Sequence, residues 1–368
     1  MKPRSVCFRM GRMVASILIG ASLGTSVSNV SAQTRDKFVY GVPSTISSAV
    51  ANFVFAKELG YFDQENLDVE LVPLSGSGVI IPQLLGGKIH AAGASLEPLV
   101  IARQPEKQNF TLKFVYNYLR NSVWEFVVLK DSAVKSLADL KGSSIGVVSL
   151  GSGNLYTTRA ILSAVGVDWK AVNLQPVGFG GQAFQALKTN QIQALNLWES
   201  MHAALEVSGT PIRRLDLPKE FQGMSSHGFE VTDKLLKENP QLIARFGRAV
   251  SKGSIACDAA HENCLRAFWK HYPELKPKTG ADRELLQKEL AVMVPRINNV
   301  MYFRPGEPRL MGAYADRDWK LLIAALKEGG EVTNENIPME SLYTNALVPE
   351  YNKFDASVVE QQGRSWKP

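Results

Sequence analysis

The chain carries one supersecondary unit twice, and that duplication limits what it can fold into more than any other feature of the sequence. The first copy runs from the strand-like Val69-Glu70-Leu71-Val72 through a glycine loop, Gly76-Ser77-Gly78, and an apolar helix-like stretch to Leu85. It then enters Gly87-Lys88-Ile89-His90-Ala91-Ala92. The second runs from Asn173 to Val177, through Gly178-Phe179-Gly180-Gly181 and a helix-like stretch to Lys188, into Asn190-Gln191-Ile192-Gln193-Ala194-Leu195. Aligned on Ile89 and Ile192, the copies share Leu-x-x-(Gly/Asn)-x-Ile-x-Ala, with Leu84 matched to Leu187 and Gly78 to Gly181. Each copy predicts strand, glycine turn, helix, left-handed cap and strand, because Gly and Asn close helices at positive φ. Chance similarity between two such units is the competing explanation. A chain that builds this unit twice is expected to form two similar α/β lobes, and the crevice at their strand ends is where small ligands bind.

Lys2, Arg4, Arg9 and Arg12 precede an apolar run from Met13 to Val27, followed by Val30-Ser31-Ala32. These are the three parts of a cleavable secretory signal, with the cut expected near Ala32-Gln33. The run is too short and too rich in Ser and Gly for a stable membrane span. No cysteine, Cys7 included, sits where a lipoprotein signal would place one. An uncleaved anchor is the alternative reading. Taking four positive charges and no acids from the formal +6 leaves +2, so no polybasic argument for nucleic acid survives. The rest of the chain is long enough for two cores, and the exported product is expected to be soluble, periplasmic and monomeric.

After the signal only Cys257 and Cys264 remain, in a compartment that permits disulfides. The residues between them, Asp258 to Asn263, read as a turn joining two helices, which would let the pair bridge. An unbroken helix would instead hold them roughly 10 Å apart, too far for a disulfide. The composition of the segment favours the turn and a structural disulfide. Two Cys and His261 lack a fourth ligand at any usual zinc spacing, so no metal is expected.

Lys37 to Gly41 reads as a first strand, and a helix capped by Ser47 or Ser48 carries Ala49, Phe53, Ala56 and Leu59 inward. After the first repeated unit, a short helix opens at Ser95-Leu96-Glu97-Pro98. Strands Leu112 to Tyr116 and Trp124 to Leu129 are expected to complete the first lobe and lead out of it. Ser144 to Val148 begins the second lobe, followed by a loop Gly151-Ser152-Gly153-Asn154, a helix to Val165 and the second unit. The chain looks extended again around Gly228-Phe229-Glu230-Val231 and is then almost wholly helical. These signals divide it into a signal peptide (1–32), a first lobe (33–128), a second lobe (129–227) and a helical return to the first lobe (228–368).

The stretch Phe55-Ala56-Lys57-Glu58-Leu59-Gly60-Tyr61-Phe62-Asp63-Gln64-Glu65-Asn66-Leu67-Asp68-Val69-Glu70 resembles the "helix, GYF, (E/D)xxGLDVEL" signature of periplasmic solute-binding proteins for nitrate, sulfonate, taurine and thiamine-precursor uptake. These are ABC-transporter binding proteins of the NMT1/THI5-like and SsuA/TauA-like group. Leu85 to Ala91, Ser136 to Val147, Gln185-Ala186-Leu187 and Leu347-Val348-Pro349 match further motifs in the family's order, so the resemblance covers nearly the whole exported chain. It departs at Asn66, where the family usually has Gly, and at His90-Ala91, where Asp often follows the Ile. The resemblance implies an α/β, type II periplasmic binding protein fold: two α/β lobes, a hinge and an interlobe cleft that closes on ligand. It further implies delivery of a small polar organic solute, of sulfonate, nitrate or pyrimidine/amine type, to an ABC permease in the inner membrane. No cofactor is implied.

Helix N-termini and loops at the strand ends suit anionic or strongly polar ligands. On the first lobe the candidates are Ser44, Thr45, Ser77, Gly78, Ser95 and Glu97, and on the second Ser152, Gly153, Asn154, Gly180, Gly181, Trp198 and Glu199. Tyr116, Asn117, Trp124 and Glu125 stand where the lobes should join. The alternative for each Ser is an ordinary helix cap, and for the crossing residues a packed hinge with a solvated carboxylate. Were Glu97, Glu125 and Glu199 all to face the cleft, they would favour an amine or a hydrogen-bonding heterocycle over a bare anion.

Enzyme motifs fail on context. Gly142-Ser143-Ser144-Ile145-Gly146 fits G-x-S-x-G but precedes a strand rather than following one. The histidines show no metal spacing, and no phosphate-binding glycine loop is complete. The pyrimidine-synthesising enzymes of this fold carry a cysteine-rich motif that the chain lacks. An enzyme on the same fold and a ligand sensor for a membrane kinase remain the alternatives to an importer's receptor.

Overall fold

Asp36–Val42 (β1) is buried from Phe38 onward, as expected of a strand covered on both faces of a parallel sheet. The computed structural model describes residues 34–107 and 110–368, so the signal segment, Cys7 and the cleavage site lie outside the described residues. One five-stranded sheet runs in the order Leu67–Pro73 (β2), β1, Ala91–Ser95 (β3), His227–Thr232 (β10), Leu112–Leu119 (β4). The other runs Asn173–Pro176 (β7), Ser144–Val147 (β6), Ala194–Trp198 (β8), Trp124–Leu129 (β5), Ile212–Leu215 (β9). In each, the first three strands are parallel, the fourth runs antiparallel to them, and the fifth pairs antiparallel with the fourth. The sheets therefore have the same plan, and the two copies of the repeated unit occupy the same places in it.

The capping residues have the conformation that the repeat demands. Gly87 and Asn190 both stand at positive φ, 64° and 57°, and close the helices Ser77–Leu85 (α2) and Gly181–Lys188 (α5). Asn66, the departure from the signature's glycine, has φ 53°. Asn is the side chain that tolerates this left-handed geometry best, which is why it can replace Gly there.

One expectation is corrected. Trp124–Leu129 does not complete the first sheet: it pairs with β8 and β9 in the second. Its alternation marks a strand but not which sheet receives it. The chain thus passes from first sheet to second between β4 and β5 and returns between β9 and β10.

The first lobe's core is aromatic, with Phe38 stacked on Phe246 at 4.1 Å and Tyr116 on Phe229 at 4.5 Å. Such pairs add about 0.5–1.5 kcal/mol each beyond area burial. Pro240–Ala259 (α7) lies close against Ala51–Glu58 (α1) because Gly253 has no side chain: a Cβ there would meet the Asn52 carbonyl oxygen at 2.4 Å. His261–His271 (α8) follows after a one-residue break, and Cys257 and Cys264 form a disulfide across it with Cα atoms 5.0 Å apart.

Two later helices reach the second lobe. Asp282–Val300 (α9) packs against Glu199–Val207 (α6), and Asp316–Glu328 (α10) against Leu155–Ala164 (α4). Among the described residues no helix is long and apolar enough to cross a membrane.

Candidate functional site

The parallel strands of both lobes end facing one another, and each strand end feeds a loop or a helix N-terminus. β1 leads to Pro43 and Ser44, β2 to Gly76 and Ser77, β3 to Ser95, β6 to Val148 and Ser152-Gly153-Asn154, and β8 to Trp198. With Val123, Trp124 and His227 from the crossings and Arg296 from α9, these residues enclose a chamber between the lobes. Its empty space, counted out to open solvent, is about 520 Å³.

One wall is aromatic. Trp124 stands edge-on to Trp198, rings 6.1 Å apart at 86°, and lies 5.7 Å from the His227 ring. Phe179 supports Trp198 from behind at 6.0 Å. Beside it lie hydroxyls. Ser77 Oγ accepts from the Ser95 backbone N–H at 3.3 Å, and Ser95 Oγ lies 3.2 Å from His227 Nε2. Burial, reinforced by the Arg296 charge, pushes the His227 imidazole down to about 3, so it stays neutral, with Nε2 met by Ser95 Oγ and Nδ1 by Ser226 Oγ at 3.2 Å.

Arg296 is the one charged residue lining the chamber, and it is already compensated. Its Nε and Nη2 donate to the two carboxylate oxygens of Glu199 at 2.6 and 3.1 Å, both side chains being largely buried. Nη1 has no protein partner among the described residues. The Ser152–Asn154 loop is fixed by Asn154 Nδ2 donating to Asn196 Oδ1 at 3.1 Å, with Thr158 Oγ1 donating to the same oxygen. Asn154 Oδ1 and Trp124 Nε1 are buried without a protein partner. A buried polar atom left so costs about 1–3 kcal/mol unless something meets it.

Of the residues nominated from sequence, Ser44, Ser77, Ser95, Trp124, Ser152, Gly153, Asn154 and Trp198 line the chamber. The others are elsewhere. Thr45 is not part of the lining, and its carbonyl accepts from Ser44 Oγ. Gly78 faces Gly151 outside the chamber. Tyr116 is a core residue whose hydroxyl meets Ser251, and Asn117 donates to Ser225 and the Ala313 carbonyl. Gly180 and Gly181 do not line the chamber; of that loop, Phe179 packs on Trp198.

The three glutamates do not converge on the chamber. Glu97 accepts from Thr157 Oγ1 across the lobe boundary at 2.7 Å, and burial pushes its carboxyl up to about 7. Glu125 is paired with His202 and Arg214, and Glu199 with Arg296. The argument for an amine ligand therefore loses its premise. Pro43, Gly76, Val123, Val148, His227 and Arg296 escaped the sequence reading. Gly76 was visible in its glycine loop, whereas Arg296 lies in a helical stretch with no local signal of function. Among the described residues no group of three His, Cys, Asp or Glu side chains could hold a metal ion.

Two lobes of the same plan with a polar and aromatic chamber between them define the periplasmic binding protein fold. An alkanesulfonate-binding protein, SsuA, from Xanthomonas axonopodis pv. citri, bound to MOPS, superposes on 85% of this chain and 99% of its own with a TM-score of 0.61 at 15% identity. The model of the NMT1/THI5 like family matches residues 47–262, and the chain belongs to that family. A putative thiamine biosynthesis protein of Haemophilus influenzae is 30% identical over 147 residues, 39% of this chain and 44% of that protein. The riboflavin-binding protein RibY of Chloroflexus aurantiacus is 23% identical over 193 residues, 52% of this chain and 54% of its own. The chain thus spans about half the length of these curated relatives.

Proposed function

We propose that the protein is an extracytoplasmic receptor that closes its lobes on one small organic solute and delivers it to an ABC importer. The part of the solute held in the chamber is a flat, uncharged ring with both hydrogen-bond donors and acceptors. The observation that carries this reading is the chamber's chemistry: the aromatic rings of Trp124, Trp198 and His227 beside the hydroxyls of Ser77 and Ser95, with its single cation already paired. A planar ring gains stacking on such a wall. A simple sulfonate or nitrate would instead be buried near Glu199 with Arg296, already paired to it, as the only cation of the lining, an unfavourable exchange for its hydration. The family favours export and uptake, and two of its relatives are named for vitamins with heteroaromatic rings, thiamine and riboflavin.

The test is calorimetric titration, with tryptophan quenching, against pyrimidines, isoalloxazines, alkanesulfonates and nitrate. Binding at one site by a planar compound, weakened tenfold or more by Trp198→Ala, is the expected result. Tight binding by simple sulfonates or nitrate alone would reject the ring.

A further inference from the structure

A second space adjoins the chamber. It lies between Ile81, Ile101 and Phe110 on the first lobe and Leu150 and Tyr156 on the second, and its empty space is about 1210 Å³, against about 520 Å³ for the chamber. Leu150 is 64% exposed there, the most exposed large apolar side chain among the described residues. Ser77, Ser152 and Gly153 line both spaces and so stand between them. This partition is a seam where the lobes touch through glycine. A Cβ on Gly78 would meet the Gly151 carbonyl oxygen at 3.1 Å, and one on Gly153 would meet Ser95 Cβ at 2.7 Å.

The inner chamber is walled by both lobes, and a ring enters it when they part. Parting them at the seam joins the chamber to the outer groove. The groove's own chemistry is apolar: its Arg159 is paired with Glu331 at 2.6 Å and covered by Trp169 at 4.4 Å, which leaves Lys107 at the edge.

We propose that the solute is elongated, with a ring in the inner chamber and an apolar tail lying in the outer groove between Ile101 and Leu150. This rests on the ring reading given above. It adds that affinity grows with tail length, by about fourfold for each methylene buried.

The probes are benzamide, 4-butylbenzamide and 4-hexylbenzamide, titrated by tryptophan quenching and calorimetry. The expected result is a gain on the order of a hundredfold from benzamide to the butyl compound and of a thousandfold or more to the hexyl compound. Leu150→Asp and Ile101→Asp should erase that gain while leaving benzamide unchanged. Equal affinities along the series, or a gain that survives both variants, would overturn the proposal. If no benzamide binds, the ring reading is at fault, and N-phenyl-1-naphthylamine then decides the groove. Fluorescence enhancement lost in Leu150→Asp supports an apolar occupant, and enhancement unchanged in that variant refutes it. A dimer seen by sedimentation that dissociates in Leu150→Asp would also overturn the proposal, since a second copy would then be the occupant.

Discussion

Replacing Gly153 by valine tests whether lobe closure, rather than a preformed pocket, confers affinity. Gly153 is outside the left-handed region, so its backbone accepts a side chain without strain. The obstacle lies across the seam, where a Cβ would stand 2.7 Å from Ser95 Cβ and 3.0 Å from the hydroxyls of Ser77 and Ser95. Carbon atoms in contact sit about 3.5–4.0 Å apart, so the fit is short by about 1 Å. Ser95 Cβ cannot rotate away, because it is fixed to the end of β3. Overpacking of this kind costs about 1–3 kcal/mol. Here the lobes can relieve it by staying apart, so the cost should fall on closure and weaken ligand binding by roughly 5- to 150-fold. The assay is calorimetric titration with the first planar compound found to bind, alongside thermal unfolding and small-angle scattering of the complex. The expected outcome is weaker binding and a more open complex with the melting temperature within a few degrees of wild type. Wild-type affinity in Gly153→Val would refute the closure argument, and so would lost affinity explained wholly by lost stability.

Two further outcomes are expected. Glu97 binds its proton more tightly folded than unfolded, so its contribution to stability is full below its ordinary value of 4.5 and is lost as pH rises to about 7. Glu97→Gln should remove that loss, on the order of 3 kcal/mol at most, when denaturant midpoints at pH 5 and pH 8 are compared; an unchanged pH slope would contradict it. Replacing Cys257 and Cys264 together by serine should cost about 2.5 kcal/mol by the entropy of the short loop they close. Because the disulfide joins α7 and α8 away from the chamber, ligand affinity should not move, and a parallel loss of affinity would show that the helical return shapes the cleft.

The sequence disclosed what periodicity and glycine encode. The repeated unit announced two sheets of one plan, and the αL caps at Gly87 and Asn190 could be read from residue type alone, because few residues tolerate positive φ. It was silent where function depends on contacts between distant segments. The assignment of Trp124–Leu129 to a sheet depends on pairing with β8 and β9, which lie far along the chain. Arg296 joins the chamber only because α9 packs on α6, and Glu199 is withdrawn from ligand duty by that same ion pair. The glutamates misled for a related reason: a carboxylate at a helix start looks available until its cation or hydroxyl partner is known. His227 lies next to the visible glycine of an extended segment, but its place beside Ser95 and Trp124 is set by the antiparallel return of β10.

The most direct test of the central claim is a tryptophan-quenching titration of the protein, wild type and Trp198→Ala, against planar heterocycles and against alkanesulfonates and nitrate. The expected result is saturable binding at one site by a planar compound, with quenching of tryptophan emission that Trp198→Ala weakens by tenfold or more. Saturable binding confined to alkanesulfonates or nitrate, with equal affinity in both proteins, would contradict it.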